Sequence, residues 1–117
     1  MPIITIYHKK KLLARKVKVC GTIFSRTLGL MFHAKLNSGE AILLVANQES
    51  IVQTSIHTFF VFFPIDVLWI NEKKEIVDKK TVFPFHPLVS PKNPAKYVLE
   101  LNKRTTTDIS IGDSLDF

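Results

Sequence analysis

The chain is poor in the residues that mark most catalytic and metal-binding domains. Its single cysteine, Cys20, excludes an intramolecular disulfide and any Cys-x-x-Cys zinc or redox site, and it favours a reducing compartment. Only four glycines are present, and no G-x-G-x-x-G, Walker or G-x-S-x-G pattern occurs, so the usual dinucleotide, nucleoside-triphosphatase and serine-hydrolase signatures are missing. The histidines, His8, His33, His57 and His86, lack His-x-x-x-His or comparable ligand spacing, so neither a metal nor a cofactor is expected. The most apolar run, Phe59 to Ile70, is broken by Pro64 and Asp66 and falls short of the roughly twenty residues that span a bilayer. At the N-terminus the short apolar stretch precedes its lysines, the reverse of a signal peptide. A cytoplasmic protein with no membrane association is expected.

Acidic residues are missing from the whole first third. Lys9, Lys10, Lys11, Arg15, Lys16, Lys18, Arg26 and Lys35 all precede the first carboxylate, Glu40, so residues 1–39 carry +8 and the rest −2 of a net +6. Such asymmetry favours an anionic partner, although a basic surface also serves solubility alone. What is plentiful is apolar: 46% of the 117 residues are hydrophobic and nine are Phe. That suffices for one domain with its own core and is too apolar for a disordered chain.

Period-two and β-branched runs dominate. Ile3 to Tyr7 and Leu12 to Cys20 flank the first lysines and predict a hairpin with a basic outer face. Further strands are predicted over Ala41–Ala46, Ile51–Ile56, Phe59–Phe63, Ile65–Ile70, Glu75–Val82, Lys96–Leu101 and Ser114–Phe117, with a turn at Asn71–Lys74. Between Thr22 and Leu36 the period changes. Phe24, Leu28, Met31 and Phe32 fall on one helical face, Arg26, Gly29 and His33 on another, and Thr22 or Ser25 can cap the N-terminus. Four of the six prolines lie between Pro84 and Pro94, which predicts a stiff crossing loop; its two P-x-x-P matches fit that loop better than a docking peptide. The expected fold is mainly β (α+β), a small antiparallel β-sandwich or partly closed barrel with one short helix, in a single domain over 1–117.

Four blocks occur in a telling order: Arg26-Thr27-Leu28-Gly29-Leu30-Met31-Phe32, Ser55 to Val67, Ala95 to Leu101, and Ile111 to Phe117. Together they resemble the domain of unknown function 192 family over about residues 12–117. The resemblance implies a small β-rich fold with one short helix and no agreed activity, in a form without a signal peptide. Ile56-His57 stands where many members carry Trp-Met. Members often place Gly near Lys73-Lys74 and Lys103-Arg104, where this chain has none. A non-glycine residue in a left-handed turn costs about 1 kcal/mol, so these two turns are expected to differ in type.

Asp66 lies in a run that should be buried and needs a partner: backbone donors at the Pro64 bend, Arg26 or His57. It is read either as a structural carboxylate or as part of a site. Arg26, Met31, His33, His57 and Asp66 are the candidate ligand-binding residues, in a concave site bounded by the helix, the His57 to Asp66 segment and the proline-rich loop. Cys20 with His57 or His33 and Asp66 supplies the residue types of a cysteine hydrolase, without geometry. Stacking aromatics of single-strand binders must be exposed among basic residues, and the Phe59-Phe60, Phe62-Phe63 run holds none, so core packing is expected for it.

The leading expectation is a non-enzymatic binding or accessory module for an unidentified small ligand or anionic partner. The alternative is weak, sequence-independent nucleic-acid binding through Lys9, Lys10, Lys11, Lys16 and Lys18. A cysteine-dependent hydrolase comes third.

Overall fold

The structure, a computed structural model, describes residues 2–21, 35–58 and 61–117. Its strands are β1 (Ile3–His8), β2 (Lys11–Cys20), β3 (Glu40–Ser50), β4 (Ile65–Ile70), β5 (Ile76–Val82), β6 (Ala95–Asn102) and β7 (Leu115–Asp116). They form one sheet in the order β5-β4-β6-β3-β2-β1-β7. No helix occurs among the described residues, and the helix predicted over Thr22–Leu36 falls almost wholly outside them.

The basic hairpin forms as the alternation predicts. His8 pairs with Lys11, leaving Lys9 and Lys10 as a two-residue connection with φ of 49° and 66°. Positive φ at both positions is the type I′ geometry whose twist matches that of the flanking strands. At the β4–β5 turn the Asn71 side chain accepts hydrogen bonds from the backbone N–H of Lys73 at 2.9 Å and of Glu75 at 3.0 Å, an Asx arrangement that fixes the predicted turn. The turns expected to change type for want of glycine keep a left-handed residue instead, Lys74 at φ 66° and Arg104 at φ 70°.

The sheet is mixed, which corrects the antiparallel expectation. β2 and β3 run parallel, from Lys16 opposite Glu40 to Cys20 opposite Leu44. Gly39, at φ 82°, brings the chain into β3, and its carbonyl accepts the Arg15 and Lys16 N–H groups, both at 3.0 Å. A second packed sheet is absent among the described residues, so the fold is a curled half-barrel and not a sandwich. Its two edges approach through the C-terminal segment. Ile76 N–H donates to the Asp113 carbonyl at 2.8 Å and Leu115 N–H to that of Lys74 at 2.9 Å, while Leu115 and Asp116 pair with His8 and Tyr7 of β1. Bridging both edges in this way covers backbone groups that would otherwise template aggregation.

Alternation along the strands divides the core in two. Ile6, Ala14, Val17, Leu43, Leu68, Ile70, Leu99 and Leu101 fill the concave inside with Ile109 and Leu115. Cys20, Ile42, Leu44, Val67, Trp69 and Val98 face outward and are covered by Ile56, Val61, Phe63 and Val89. β4 is buried throughout, as its two-sided apolar pattern predicts.

Two predicted strands are corrected. Within Ile51–Ile56 only Ile56 makes a bridge, to Val89 of the proline-rich loop, and the described part of Phe59–Phe63 forms no strand. Side chains divert this segment: Gln53 N–H donates to Ser50 Oγ at 3.1 Å, and Ser55 Oγ donates to the Ile51 carbonyl at 2.8 Å. Such local bonds compete with a ladder. β3 instead runs on past Ala46 to Ser50.

Candidate functional site

One row of residues crosses the outward face in register: Lys80 of β5, Val67 of β4, Glu100 of β6, Ile42 of β3, Lys18 of β2 and Ile3 of β1. Glu100 stands at its centre, only 4% exposed. Among the described residues no side chain or backbone donor bonds to its carboxylate. Burial pushes its pKa up to about 7 from an ordinary 4.5, because a charge removed from water without a donor is costly. Lys18 and Lys80 each lie two strands away, about 10 Å at the usual strand spacing, and neither forms an ion pair with Glu100. Lys80 is committed elsewhere, donating to the Ser90 carbonyl at 2.6 Å and lying 5.5 Å from the Trp69 ring centre.

Beside this row opens a cavity of about 280 Å³. Lys16, Lys18, Lys35 and Glu40 supply its charge; Ile3, Leu36, Ala41 and Ile42 supply its apolar lining. Glu40 is partly spent, since its Oε1 accepts the Asn37 N–H at 2.7 Å. Asn102, next on the same face of β6 as Glu100, fixes the cavity wall by donating through Nδ2 to the Leu36 carbonyl at 3.0 Å. Three ammonium groups against one engaged carboxylate make the cavity cationic with a greasy floor.

The structure separates His57 from Asp66. Asp66 lies on the inward face of β4, 3% exposed. Its Oδ1 accepts from Thr81 Oγ1 at 2.9 Å, and its Oδ2 accepts from Thr106 Oγ1 at 2.7 Å and Thr106 N–H at 3.2 Å. The partners are thus two threonines, not Arg26, His57 or the Pro64 bend, and the carboxylate pins the loop after β6 to the β4–β5 hairpin. His57 sits in the outer covering segment, between Ile56 and Thr58. Arg26, Met31 and His33 lie outside the described residues.

Cys20 is on the outward face, so Asp66 on the inward face does not complete a cysteine triad with it. Burial raises the thiol pKa; Lys18 lowers it and Glu100 raises it further. The balance disfavours the thiolate that nucleophilic catalysis needs. Among the described residues no three His, Cys, Asp or Glu side chains converge as a metal site.

The five lysines of the nucleic-acid alternative are all exposed, but they fall in two places. Lys16 and Lys18 line the cavity. Lys9, Lys10 and Lys11 cluster at the hairpin tip, where Lys9 Nζ is 3.9 Å from the Asp113 carboxylate. That carboxylate also accepts the Ser110 N–H at 3.0 Å and pairs with His8 Nε2 at 2.9 Å. Its pKa is lowered by the Ser110 bond first and the His8 bond second.

The sequence matches the DUF192 family, described as an uncharacterised ACR, over residues 4–117. The chain belongs to that family. It is 33% identical over 111 residues to a UPF0127 protein of Thermococcus sibiricus, covering 93% of this chain and 70% of that one. A Thermococcus kodakarensis UPF0127 protein is 33% identical over 104 residues, covering 87% of this chain and 64% of its own length. The chain therefore spans just under two thirds of that relative. Among solved structures, a protein of unknown function from Novosphingobium aromaticivorans superposes with a TM-score of 0.85 at 17% identity, covering 98% of this chain and 84% of the other. A Sinorhizobium meliloti protein put forward as a transcription regulator gives 0.83 at 21% identity, covering 96% and 89%. These two likenesses establish the fold alone. No helix among the described residues is long and apolar enough to cross a membrane.

Within this DUF192 chain, Glu100 escaped the reading of the sequence. Its signal was present: a single carboxylate inside Tyr97-Val98-Leu99-Glu100-Leu101, a run otherwise fit for a central strand, stands out as Asp66 does. The cavity left no such trace, because Lys35 and Leu36 reach it across a parallel pairing that periodicity does not encode.

Proposed function

We propose that this DUF192 domain is a non-enzymatic binding module whose ligand is a small anion with a short apolar body, seated in the outer-face cavity. The observation that carries this reading is the convergence of Lys16, Lys18 and Lys35 over the apolar lining of Leu36, Ala41 and Ile42. Three point charges of one sign near a low-dielectric floor favour an anionic group, and the floor favours a hydrocarbon portion. The raised pKa of the Cys20 thiol supports binding over covalent chemistry. Titrating labelled protein with short-chain carboxylates and inorganic phosphate, while following backbone amides, tests it. Shifts should centre on Lys16, Lys18, Lys35 and Ile42 and weaken at least tenfold in Lys18→Ala, a loss of about 1.4 kcal/mol. Shifts elsewhere, or none, sink the proposal. A covalent adduct at Cys20 with an acylating probe, abolished by His57→Ala, would replace it with an enzyme.

A second reading, sequence-independent nucleic-acid binding through Lys9, Lys10, Lys11, Lys16 and Lys18, draws on the exposure of all five. It requires log affinity to fall linearly with log salt, with a slope reduced by about one per lysine removed.

A further inference from the structure

A second surface meets in space the condition that the phenylalanine run fails in sequence. Phe62, Phe83 and Phe85 are 52%, 52% and 53% exposed, which corrects the expectation that Phe62 packs into the core. Phe62 and Phe85 contact edge to face with ring centres 5.9 Å apart. Lys103 Nζ lies 5.2 Å from the centre of the Phe83 ring, and Arg104 follows it.

The loop that carries Phe83 and Phe85 is tied to Thr58. Buried Thr58 donates through Oγ1 to the Phe83 carbonyl at 2.8 Å and accepts the His86 N–H at 2.7 Å, while its carbonyl accepts the Phe85 N–H at 2.8 Å. Phe85 is fixed at φ 65° and Arg104 at φ 70°, a conformation that costs a non-glycine residue about 1 kcal/mol or more and persists where surrounding structure imposes it. Large rings standing in water and strained side chains beside them are not what stability alone selects.

Charge decides the partner. Lys103 and Arg104 are both exposed, and Lys103 lies over the Phe83 ring, so cations stand directly beside the aromatic faces. Lys103 and Arg104 also line a cavity of about 230 Å³ whose wall includes Asp66; the Thr81 and Thr106 hydroxyls there donate to that carboxylate, which leaves Thr107 beside the two cations. Aromatic faces that stack bases, flanked by cations that follow a phosphate backbone, are the two components of single-strand recognition.

We propose that the surface formed by Phe62, Phe83, Phe85, Lys103 and Arg104 binds single-stranded nucleic acid without sequence preference. It is distinct from the hairpin lysines and from the outer-face cavity.

The test is fluorescence anisotropy of the full chain with a labelled oligothymidylate of about a dozen nucleotides, with the matching duplex, and with phosphatidylserine vesicles. The single strand should bind tighter than the duplex. Phe83→Ala and Phe85→Ala should each weaken it roughly 5- to 150-fold, the worth of one stacked base, and Phe83→Trp should restore it. Lys103→Ala and Arg104→Ala should each flatten the slope of log affinity against log salt by about 0.7. Since all four side chains are exposed, unchanged circular dichroism verifies folding. Equal duplex affinity, or loss on replacing Lys9, Lys10 and Lys11 with none on replacing the phenylalanines, overturns the proposal. Vesicle binding through these residues with no oligonucleotide binding overturns it in favour of a membrane surface.

Discussion

Among the described residues the sheet buries three carboxylates, Asp66, Asp78 and Glu100, and treats Glu100 unlike the other two. Asp78, also on the outward face, accepts the Lys79 and Lys92 N–H groups at 2.9 and 3.0 Å. On the inward face Asp66 receives three hydrogen bonds, from Thr81 and twice from Thr106. On the outward face Glu100 receives none from the described residues, and its pKa climbs to about 7. Position in the strands does not explain this, since Asp66 and Glu100 lie on neighbouring strands, Asp66 opposite Leu101 and Val67 opposite Glu100. The difference lies in what surrounds them. A carboxylate whose lone pairs are filled acts as a clamp and holds structure; one that receives no donor from the described residues, and whose pKa burial raises, costs stability in its charged form. The contrast transfers the functional interest from Asp66 to Glu100.

The sharpest way to break that comparison is Asp66→Ala. Removing the acceptor strands the buried Thr106 N–H and hydroxyl, at about 1–3 kcal/mol each, together with the more exposed Thr81 hydroxyl, so a loss of roughly 3–5 kcal/mol is expected in urea unfolding at neutral pH. Unchanged stability would mean that Asp66 is no clamp and would return it to the list of site residues.

Glu100→Gln tests the other half. Because the folded pKa is raised, the folded state holds a proton that the unfolded state releases between pH 4.5 and about 7. Stability should be full below pH 4.5, fall by about 3 kcal/mol as pH rises to about 7, and level off above it. In Glu100→Gln this fall should vanish, leaving only the opposite trend from Asp113, whose lowered pKa supplies stability that is lost as pH drops through the acid range. A wild-type profile that stays flat from pH 4.5 to 7 would show that Glu100 has a donor after all.

Much of the fold was legible in the residues. The basic hairpin, the Asn71 turn, the buried β4 and the proline-rich crossing all follow from local chemistry: alternation, Asx bonding, two-sided apolarity and the missing proline N–H. What escaped was non-local. The β2–β3 parallel pairing joins residues 24 positions apart, as Lys16 with Glu40, and the Ile51–Ile56 run reads as a strand until Ser50 and Ser55 divert its backbone bonds. The candidate site was less legible still. His57 and Asp66 share one apolar stretch in sequence yet lie on opposite sides of the sheet, because a segment that covers the outer face precedes a strand that faces both ways. Lys103 meets Phe83 across nineteen intervening positions, a contact no short window on the sequence contains.

The smallest expected effect concerns the strain common to both regions. Lys10 at φ 66° occupies a type I′ position that glycine fills without penalty. Lys10→Gly relieves the left-handed cost while increasing the entropy of the unfolded chain, so the net gain should be positive but no more than about 1 kcal/mol. Thermal unfolding should register a rise of a few degrees at most. The same exchange at Arg104, φ 70°, should also stabilise, yet there it removes a cation from the proposed single-strand surface. If Arg104→Gly stabilises the fold while weakening oligonucleotide binding, and Lys10→Gly stabilises it without touching binding, the strain at Arg104 is held for function and that at Lys10 merely tolerated. If both leave binding unchanged, left-handed basic residues are a habit of this chain's turns and carry no information about its partner.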